Sequence, residues 1–299
     1  MISAQAEEVL QQLTAEGVSP WLSWPSTQPP GRDAVVRYGF RGVAMPPGSP
    51  LSAVRAACDA LVGGWVTVAV EAGAGAADDP DALVAAARML RVGVDRPNVL
   101  VGIPATKAGT VAAADCLAEG IGVDCSAVFS VEQYRAVLDA QIAGMERALS
   151  NGVDLAGFAA SASCPLGLLD QEVNARLDRL PDADPALRDA AGAATARLLY
   201  RVREERLADA WWRVLRVAGA RTPYLVWTRT GAAHVPALVG WNTAHVLTPD
   251  ALEVAAERGG LHGDTLLGRH GQAQGALRAL GEAGVDVASL AEALARRGA

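Results

Sequence analysis

Lys107 is the only lysine in a chain of 299 residues that also contains 25 arginines. A lysine amine can attack a carbonyl carbon and form a Schiff base, whereas an arginine guanidinium stays protonated and cannot. Lys107 follows a short apolar segment, where a loop or the first turn of a helix is expected. It is therefore either a catalytic amine or an ordinary solvated lysine.

The cysteines and histidines give no sign of a metal site. The four cysteines are widely spaced and form no Cys-x-x-Cys pair, and no histidines stand at metal-ligand spacing. We expect no metal and no cofactor. Cys58, Cys116 and Cys164 are interpreted as buried small hydrophobes. Cys125 lies between Asp124 and Ser126 on a predicted strand, so strand alternation points it away from them.

Composition narrows the possible partners. The net charge is -7, 51% of the residues are apolar, and no apolar run is long enough to span a bilayer. No basic stripe is present, which argues against a nucleic-acid or membrane surface. The acidic, amphipathic N-terminus does not resemble a signal peptide. We expect a cytoplasmic protein with a small-molecule substrate, and the sequence leaves open whether it forms a homo-oligomer.

Short apolar runs alternate with amphipathic stretches, as in parallel strands joined by helices. The predicted strands cover residues 19–24, 40–45, 65–72, 98–103, 122–129, 155–163, 222–227 and 241–246. Eight such units predict an α/β fold of the (β/α)8 TIM-barrel class, with additional C-terminal helices. No long linker or internal repeat divides the chain, so we expect residues 1–299 to form a single domain.

Helix limits are marked by capping and breaking residues. One helix begins after Pro50 and ends at Gly63, and another follows Asp79 and ends near Gly93. A third is predicted from about residue 110 to 117. Ser130 and Gln133 have capping-box spacing at the start of the next helix. Residues 186–219 are predicted to be helical, as two helices joined near Gly192, and two short helices follow in the tail.

The segment from Asn98 to Leu149 reads NVLVGIPATKAGTVAAADCLAEGIGVDCSAVFSVEQYRAVLDAQIAGMERAL. Its Ile-Pro-Ala-Thr, Glu-Gly-Ile and Val-Phe-Ser-Val-Glu-Gln-Tyr stand in the order and spacing of the central segment of transaldolases. Residues 41–43, 159–163 and 238–252 resemble further parts of that family. The resemblance implies a class I aldolase-type barrel, whose members form a lysine Schiff base with a ketose phosphate and transfer a three-carbon unit.

The same resemblance places the family's Schiff-base lysine, two residues before the Pro of Pro-Ala-Thr, on Gly102. The first-strand aspartate falls on Ser23, and the third-strand glutamate falls on Ala69. These groups form the carbinolamine and move protons in the family. The resemblance therefore implies the fold but not the usual covalent chemistry.

Other pocket positions of the family are partly kept. Its fifth-strand asparagine matches Asp124, the threonine two residues on matches Ser126, and a family serine matches Ser163. The basic residues that follow the sixth and seventh strands fall on Leu168 and Ala233, so Arg229 is the nearby replacement for phosphate recognition. The candidate substrate-binding residues are Ser163, Ser23, Arg229 and His245, the last on the final predicted strand.

Glu71 is a second acidic residue that could lie in the pocket. It lies two residues beyond Ala69, so both side chains lie on one face of an extended strand. With Asp124, Ser126 and Ser163 it would form a non-covalent acid/base site for enolisation, dehydration, isomerisation or aldol cleavage. The alternatives are a solvent-facing Glu71 and an Asp124 that makes only structural hydrogen bonds.

Three functions remain open on the sequence. The first is a divergent enzyme that acts on a sugar-derived or polyhydroxylated carbonyl compound by acid/base chemistry. The second is an inactive homologue that binds a metabolite or a protein partner. The third is a true transaldolase that uses Lys107. The catalytic candidates are thus Asp124, Ser126, Glu71 and Lys107.

Overall fold

The computed structural model describes residues 2–26, 28, 35, 38–61, 63–70, 76–182 and 184–298, and eight parallel strands at its centre close into a barrel. This confirms the predicted (β/α)8 class. The strands are β1 (Val18–Ser23), β2 (Gly42–Ala44), β3 (Trp65–Ala69), β4 (Val99–Pro104), β5 (Val123–Ser126), β6 (Ala160–Pro165), β7 (Tyr224–Thr228) and β8 (Thr243–Leu247).

Helices surround the barrel and cross over between the strands. In chain order they are α1 (Ala4–Ala15), α2 (Leu51–Ala60), α3 (Pro80–Val94), α4 (Lys107–Ala118), α5 (Val131–Ser150), α6 (Leu166–Leu177), α7 (Ala190–Leu207), α8 (Ala210–Val217), α9 (His234–Ala237), α10 (Pro249–Glu257), α11 (His270–Glu282) and α12 (Val287–Arg297). The last two are the additional C-terminal helices that the sequence predicts.

The strand sequences alternate between two apolar layers. Trp21, Leu100, Val226 and Val246 belong to a small cluster inside the barrel. Their neighbours along the strands, such as Leu22, Val101 and Trp227, belong to larger clusters between the barrel and the helices, as does Cys125 of β5. Side chains two residues apart on a strand lie on the same face. Residues two positions beyond this inner cluster therefore also point toward the barrel axis, nearer its open end.

The predicted helical stretch from 186 to 219 is divided at a different place from the one expected. Asp209 accepts a hydrogen bond from Trp211 N and so begins α8, whereas Gly192 lies inside α7. A Cβ atom at Gly192 would come within 2.4 Å of Asp170 Oδ2. The glycine is therefore required by close packing against Asp170, and it does not end a helix.

Among the described residues, none of the helices is long and apolar enough to cross a membrane.

Candidate active site

A cavity of about 190 Å³ opens at the carboxyl ends of the barrel strands. We call it the barrel cavity. Side chains and backbone from β2 to β7 and the loops after them line it. The lining residues are Met45, Thr67, Val68, Ala69, Gly102, Asp124, Ser126, Ala127, Ser163, Pro165, Thr228 and Arg229. Active sites of this barrel class form at this end.

Strand register brings the chemically important positions into one row. Ala69 pairs with Gly102, Gly102 pairs with Asp124, and Asp124 pairs with Ser161 across four adjacent strands. Two residues before Gly102, Leu100 belongs to the inner cluster, so this row faces the barrel axis. The row places a carboxyl group beside the glycine.

Asp124 is the central polar group of the barrel cavity. It is only 4% exposed, and its carboxylate accepts hydrogen bonds from Ser161 Oγ at 2.6 Å and Ser163 Oγ at 2.8 Å. Burial raises the pKa of Asp124 above its usual range, and the two serine hydroxyls oppose that shift. A carboxylate with a raised pKa is a stronger proton acceptor than an ordinary aspartate.

Gly102 is packed too closely for a side chain in the present backbone. A Cβ atom there would lie 2.9 Å from Ala69 Cα and 3.3 Å from Ala69 N. Both are backbone atoms of the neighbouring strand and cannot move aside alone. A lysine at position 102 would therefore need a shift of β3.

Lys107 is the first residue of α4, after Thr106, whose side chain caps the helix by accepting a hydrogen bond from Gly109 N. Its side chain is exposed and does not line the barrel cavity. The structure thus brings Asp124, Ser126 and Ser163 together, and it does not bring Lys107 to them.

Arg229 lines the mouth of the barrel cavity in a strained backbone conformation. Its φ is 55°, and Ala127, which also lines the cavity, has φ 62°. Each non-glycine residue in this left-handed region costs about 1–2 kcal/mol. Such strain is found at functional sites, where the surrounding structure maintains it.

Gln133 holds the strained loop at Ala127. Its side-chain amide donates hydrogen bonds to Ala127 O at 3.0 Å and Ala105 O at 2.8 Å, and its Oε1 accepts one from Phe129 N at 2.9 Å. The predicted cap is present, because Ser130 Oγ accepts a hydrogen bond from Gln133 N. The Gln133 side chain, however, bonds to Phe129 rather than to the Ser130 N–H of a capping box.

The Arg229 loop is fixed by two close contacts. A Cβ atom at Gly167 would come within 1.7 Å of Arg229 O, so only glycine fits there. Nearby, His234 Nε2 donates to Asp170 Oδ2 at 2.8 Å, and His234 Nδ1 accepts a hydrogen bond from Gly231 N. His234 is only 7% exposed, so its ring is held inside this loop.

The remaining predicted residues lie elsewhere. Ser23 ends β1 and does not line the barrel cavity. His245 lies between the inward-facing Ala244 and Val246, so it points outward, where it donates to Leu238 O at 3.0 Å. Burial there lowers the pKa of His245 to about 4. Neither residue is placed to bind a molecule in the cavity. Glu71 lies outside the described residues.

Sequence reasoning missed three hydroxyl groups of this site. Ser161 bonds to Asp124, and Thr67 and Thr228 line the barrel cavity. Strand alternation could have identified two of them, because Ser161 lies two residues before Ser163 and Thr67 lies two before Ala69. Across the described ranges, no group of three or more His, Cys, Asp or Glu residues could hold a metal ion.

Comparison with known proteins gives consistent matches. A family model described as Transaldolase/Fructose-6-phosphate aldolase matches residues 50–299. Transaldolase 1 of Streptomyces avermitilis is 37% identical over 242 residues, which cover 78% of this chain and 64% of the relative. Transaldolase of Acidothermus cellulolyticus is 36% identical over 252 residues, which cover 82% of this chain and 68% of the relative. The matched regions thus span about two thirds of these relatives.

The packing at Gly102 predicts that even the smallest side chain is destabilising there. We expect Gly102→Ala to lower the free energy of unfolding by about 1–3 kcal/mol, because β3 must shift. Urea unfolding followed by circular dichroism measures this. Gly275→Ala is the control for an added methyl group in open space, and it should not destabilise the protein, since no atom lies within 4 Å of a Cβ atom there and alanine favours the helix α11 more than glycine does. Equal stabilities for Gly102→Ala and the unsubstituted protein would contradict the described strand contact.

The burial of Asp124 predicts a pH-dependent gain in stability from Asp124→Asn. The folded state raises the pKa of this carboxyl group, so its ionised form opposes folding above about pH 4, the usual aspartate value. The amide removes that charge and can still accept a serine hydrogen bond. We expect a higher Tm at pH 7, by roughly 2–4 °C for each kcal/mol gained, and a gain that shrinks as the pH falls toward 4.

Differential scanning calorimetry between pH 4 and 8 tests this expectation. Asp182→Asn, at an exposed position, serves as the control for the loss of one negative charge. A lower Tm for Asp124→Asn at pH 7 would show that the serine hydrogen bonds to the carboxylate outweigh its desolvation, contrary to the direction described above.

Proposed function

This chain belongs to the transaldolase/fructose-6-phosphate aldolase family, and we propose that it acts on a sugar-derived or polyhydroxylated carbonyl compound without a Schiff base. The family relation supports an aldolase-type role in carbohydrate metabolism. The observation that carries the proposal is Asp124, a buried carboxyl group at the centre of a cavity that contains no lysine.

The proposed chemistry is proton transfer next to a carbonyl group. The Asp124 carboxylate takes a proton from the carbon beside the carbonyl, and the electron pair moves onto the carbonyl oxygen. The resulting enolate needs a hydrogen-bond donor, and the half-buried Ser126 hydroxyl in the same cavity supplies one. If the deprotonated carbon carries a hydroxyl, that hydroxyl passes its proton to the former carbonyl oxygen, and return of the proton from Asp124 to the former carbonyl carbon completes isomerisation. If the next carbon carries a hydroxyl, protonation by the Asp124 carboxylic acid lets it leave as water, which is dehydration.

The cavity lining supports a hydroxyl-rich substrate. Thr67, Ser126, Ser163 and Thr228 present hydroxyl groups around Asp124, and hydroxyls can both donate and accept hydrogen bonds to a polyol. Arg229 is the only cationic residue among the described residues that line the cavity. It lies at the mouth, so a phosphate or carboxylate end of the substrate would bind there.

A second candidate is a metabolite-binding protein without catalytic activity. Asp124 already accepts two serine hydrogen bonds, which is also the environment of a purely structural carboxyl group. This candidate differs from the first in turnover but not in ligand class. A cytoplasmic location and the oligomeric state remain predictions in either case.

The third candidate, a transaldolase that uses Lys107, has less support. A Schiff-base lysine needs a desolvated or cation-flanked amine, whereas the Lys107 side chain is exposed at the start of α4. The amine would also have to reach a cavity that it does not line.

The proposed substrate class is testable by thermal shift, because a ligand that binds only the folded state raises Tm by mass action. We expect at least one unphosphorylated polyol or ketose, or its phosphate ester, to raise the Tm. The Ser163→Ala variant should bind that compound about 2- to 10-fold more weakly, since one hydrogen bond is worth roughly 0.5–1.5 kcal/mol.

Arg229→Ala tests whether an anionic end is recognised, with the exposed Arg258→Ala as the matched control. The phosphate ester should lose affinity in Arg229→Ala while the unphosphorylated compound keeps it. A panel in which no compound of either class raises the Tm of the unsubstituted protein would contradict the proposed substrate class.

A further inference from the structure

A second and larger cavity lies outside the barrel, between the first turn of α5, the middle of α7 and the turn that joins α11 to α12. We call it the outer cavity. Its volume is about 560 Å³, and its lining includes Phe129, Val131, Leu198, Leu277, Val285 and Val287. This volume lies in the range of cavities that bind small molecules, about 300–1,000 Å³.

The walls of the outer cavity are mainly apolar. Phe129 and Val285 are each 2% exposed and belong to the cluster that packs α11 and α12 against α6. Leu198 of α7 and Leu277 of α11 add further apolar surface. Such walls favour a molecule with mostly carbon surface, because its transfer from water is favourable.

Thr195 supplies one polar group inside these walls. It lines the outer cavity and is 5% exposed. Its hydroxyl makes no hydrogen bond to any residue in the described part of the chain. The hydroxyl is not among the fully buried unpaired groups, so it is open to the cavity, where a ligand can offer it a hydrogen-bonding group in place of water.

The edge of the outer cavity offers no cationic side chain to an anion. Glu132 and Asp286 line it with exposed carboxylates, and hydrogen bonds from Ser289 hold the pKa of Asp286 below its usual value. No lysine or arginine is among the lining residues. Negative charge at the edge disfavours sugar phosphates and carboxylates.

We propose that the outer cavity is a second ligand site, for a mainly apolar molecule without negative charge that carries one hydrogen-bonding group for Thr195. Its ligand class thus differs from that of the barrel cavity, which is lined by hydroxyls and an arginine. The two cavities share one loop, since Ala127 lines the barrel cavity and Phe129 lines the outer cavity. Gln133 ties both of these residues to the start of α5.

N-phenyl-1-naphthylamine is a suitable probe, because it is uncharged, mainly apolar, carries one N–H group and fluoresces strongly in apolar surroundings. We expect it to bind the full chain with increased fluorescence. Ala288→Phe, at an exposed position that lines the outer cavity, should weaken binding at least about tenfold by filling the space. Ala136→Phe, at an exposed position elsewhere on α5, should leave binding unchanged.

The Thr195 hydroxyl is tested separately. Thr195→Val should weaken probe binding by about 2- to 10-fold through the lost hydrogen bond, and Thr195→Ser should retain it. Hydrogen exchange read by mass spectrometry should slow at residues 129–132 and 284–288 when the probe binds. Unchanged probe affinity in Ala288→Phe, or no binding by the unsubstituted chain, would overturn the proposal.

Discussion

The site depends on the carboxyl group of Asp124, which is buried inside the barrel mouth. Burial removes most of the water that solvates an exposed acid, so hydrogen bonds from the protein must stabilise this group. Ser161 and Ser163 lie on the neighbouring strand β6, and each donates one hydrogen bond to a different oxygen of the carboxylate. These bonds fix the orientation of the group, while burial raises its pKa. A carboxyl group that is oriented and easily protonated is suited to proton transfer.

The same strands explain why an amine is absent from this place. Ala69, Gly102 and Asp124 are cross-strand neighbours in consecutive pairs, so the Asp124 carboxyl group adjoins the glycine. Close contact between Gly102 and the Ala69 backbone leaves no space for a side chain. The row of Ala69, Gly102, Asp124 and Ser161 therefore presents a carboxyl group with hydroxyl partners and no amine.

Periodicity predicted most of the barrel and part of the site. Alternation along β5 correctly separates Asp124 and Ser126 from Cys125, because the strand is regular and its neighbours are parallel. The same rule places His245 outward, since Ala244 and Val246 face inward. Because of this register, the His245 side chain does not face the pocket, contrary to the sequence-based prediction.

Contacts between distant segments could not be predicted in this way. The burial of His234 depends on Asp170, 64 residues away, and the backbone strain at Arg229 depends on close approach to Gly167. The outer cavity likewise arises where α5, α7 and the C-terminal helices meet. Tertiary packing determines these features, and local sequence pattern carries no signal for them.

The central claim, that Asp124 rather than an amine performs the chemistry, is tested most directly by hydrogen exchange into a bound carbonyl compound. Ketoses that raise the Tm are incubated in D₂O, and NMR records deuterium entering the carbon next to the carbonyl. The account predicts exchange with the unsubstituted protein and with Lys107→Ala, and none with Asp124→Asn. Exchange that persists in Asp124→Asn and disappears in Lys107→Ala would contradict it.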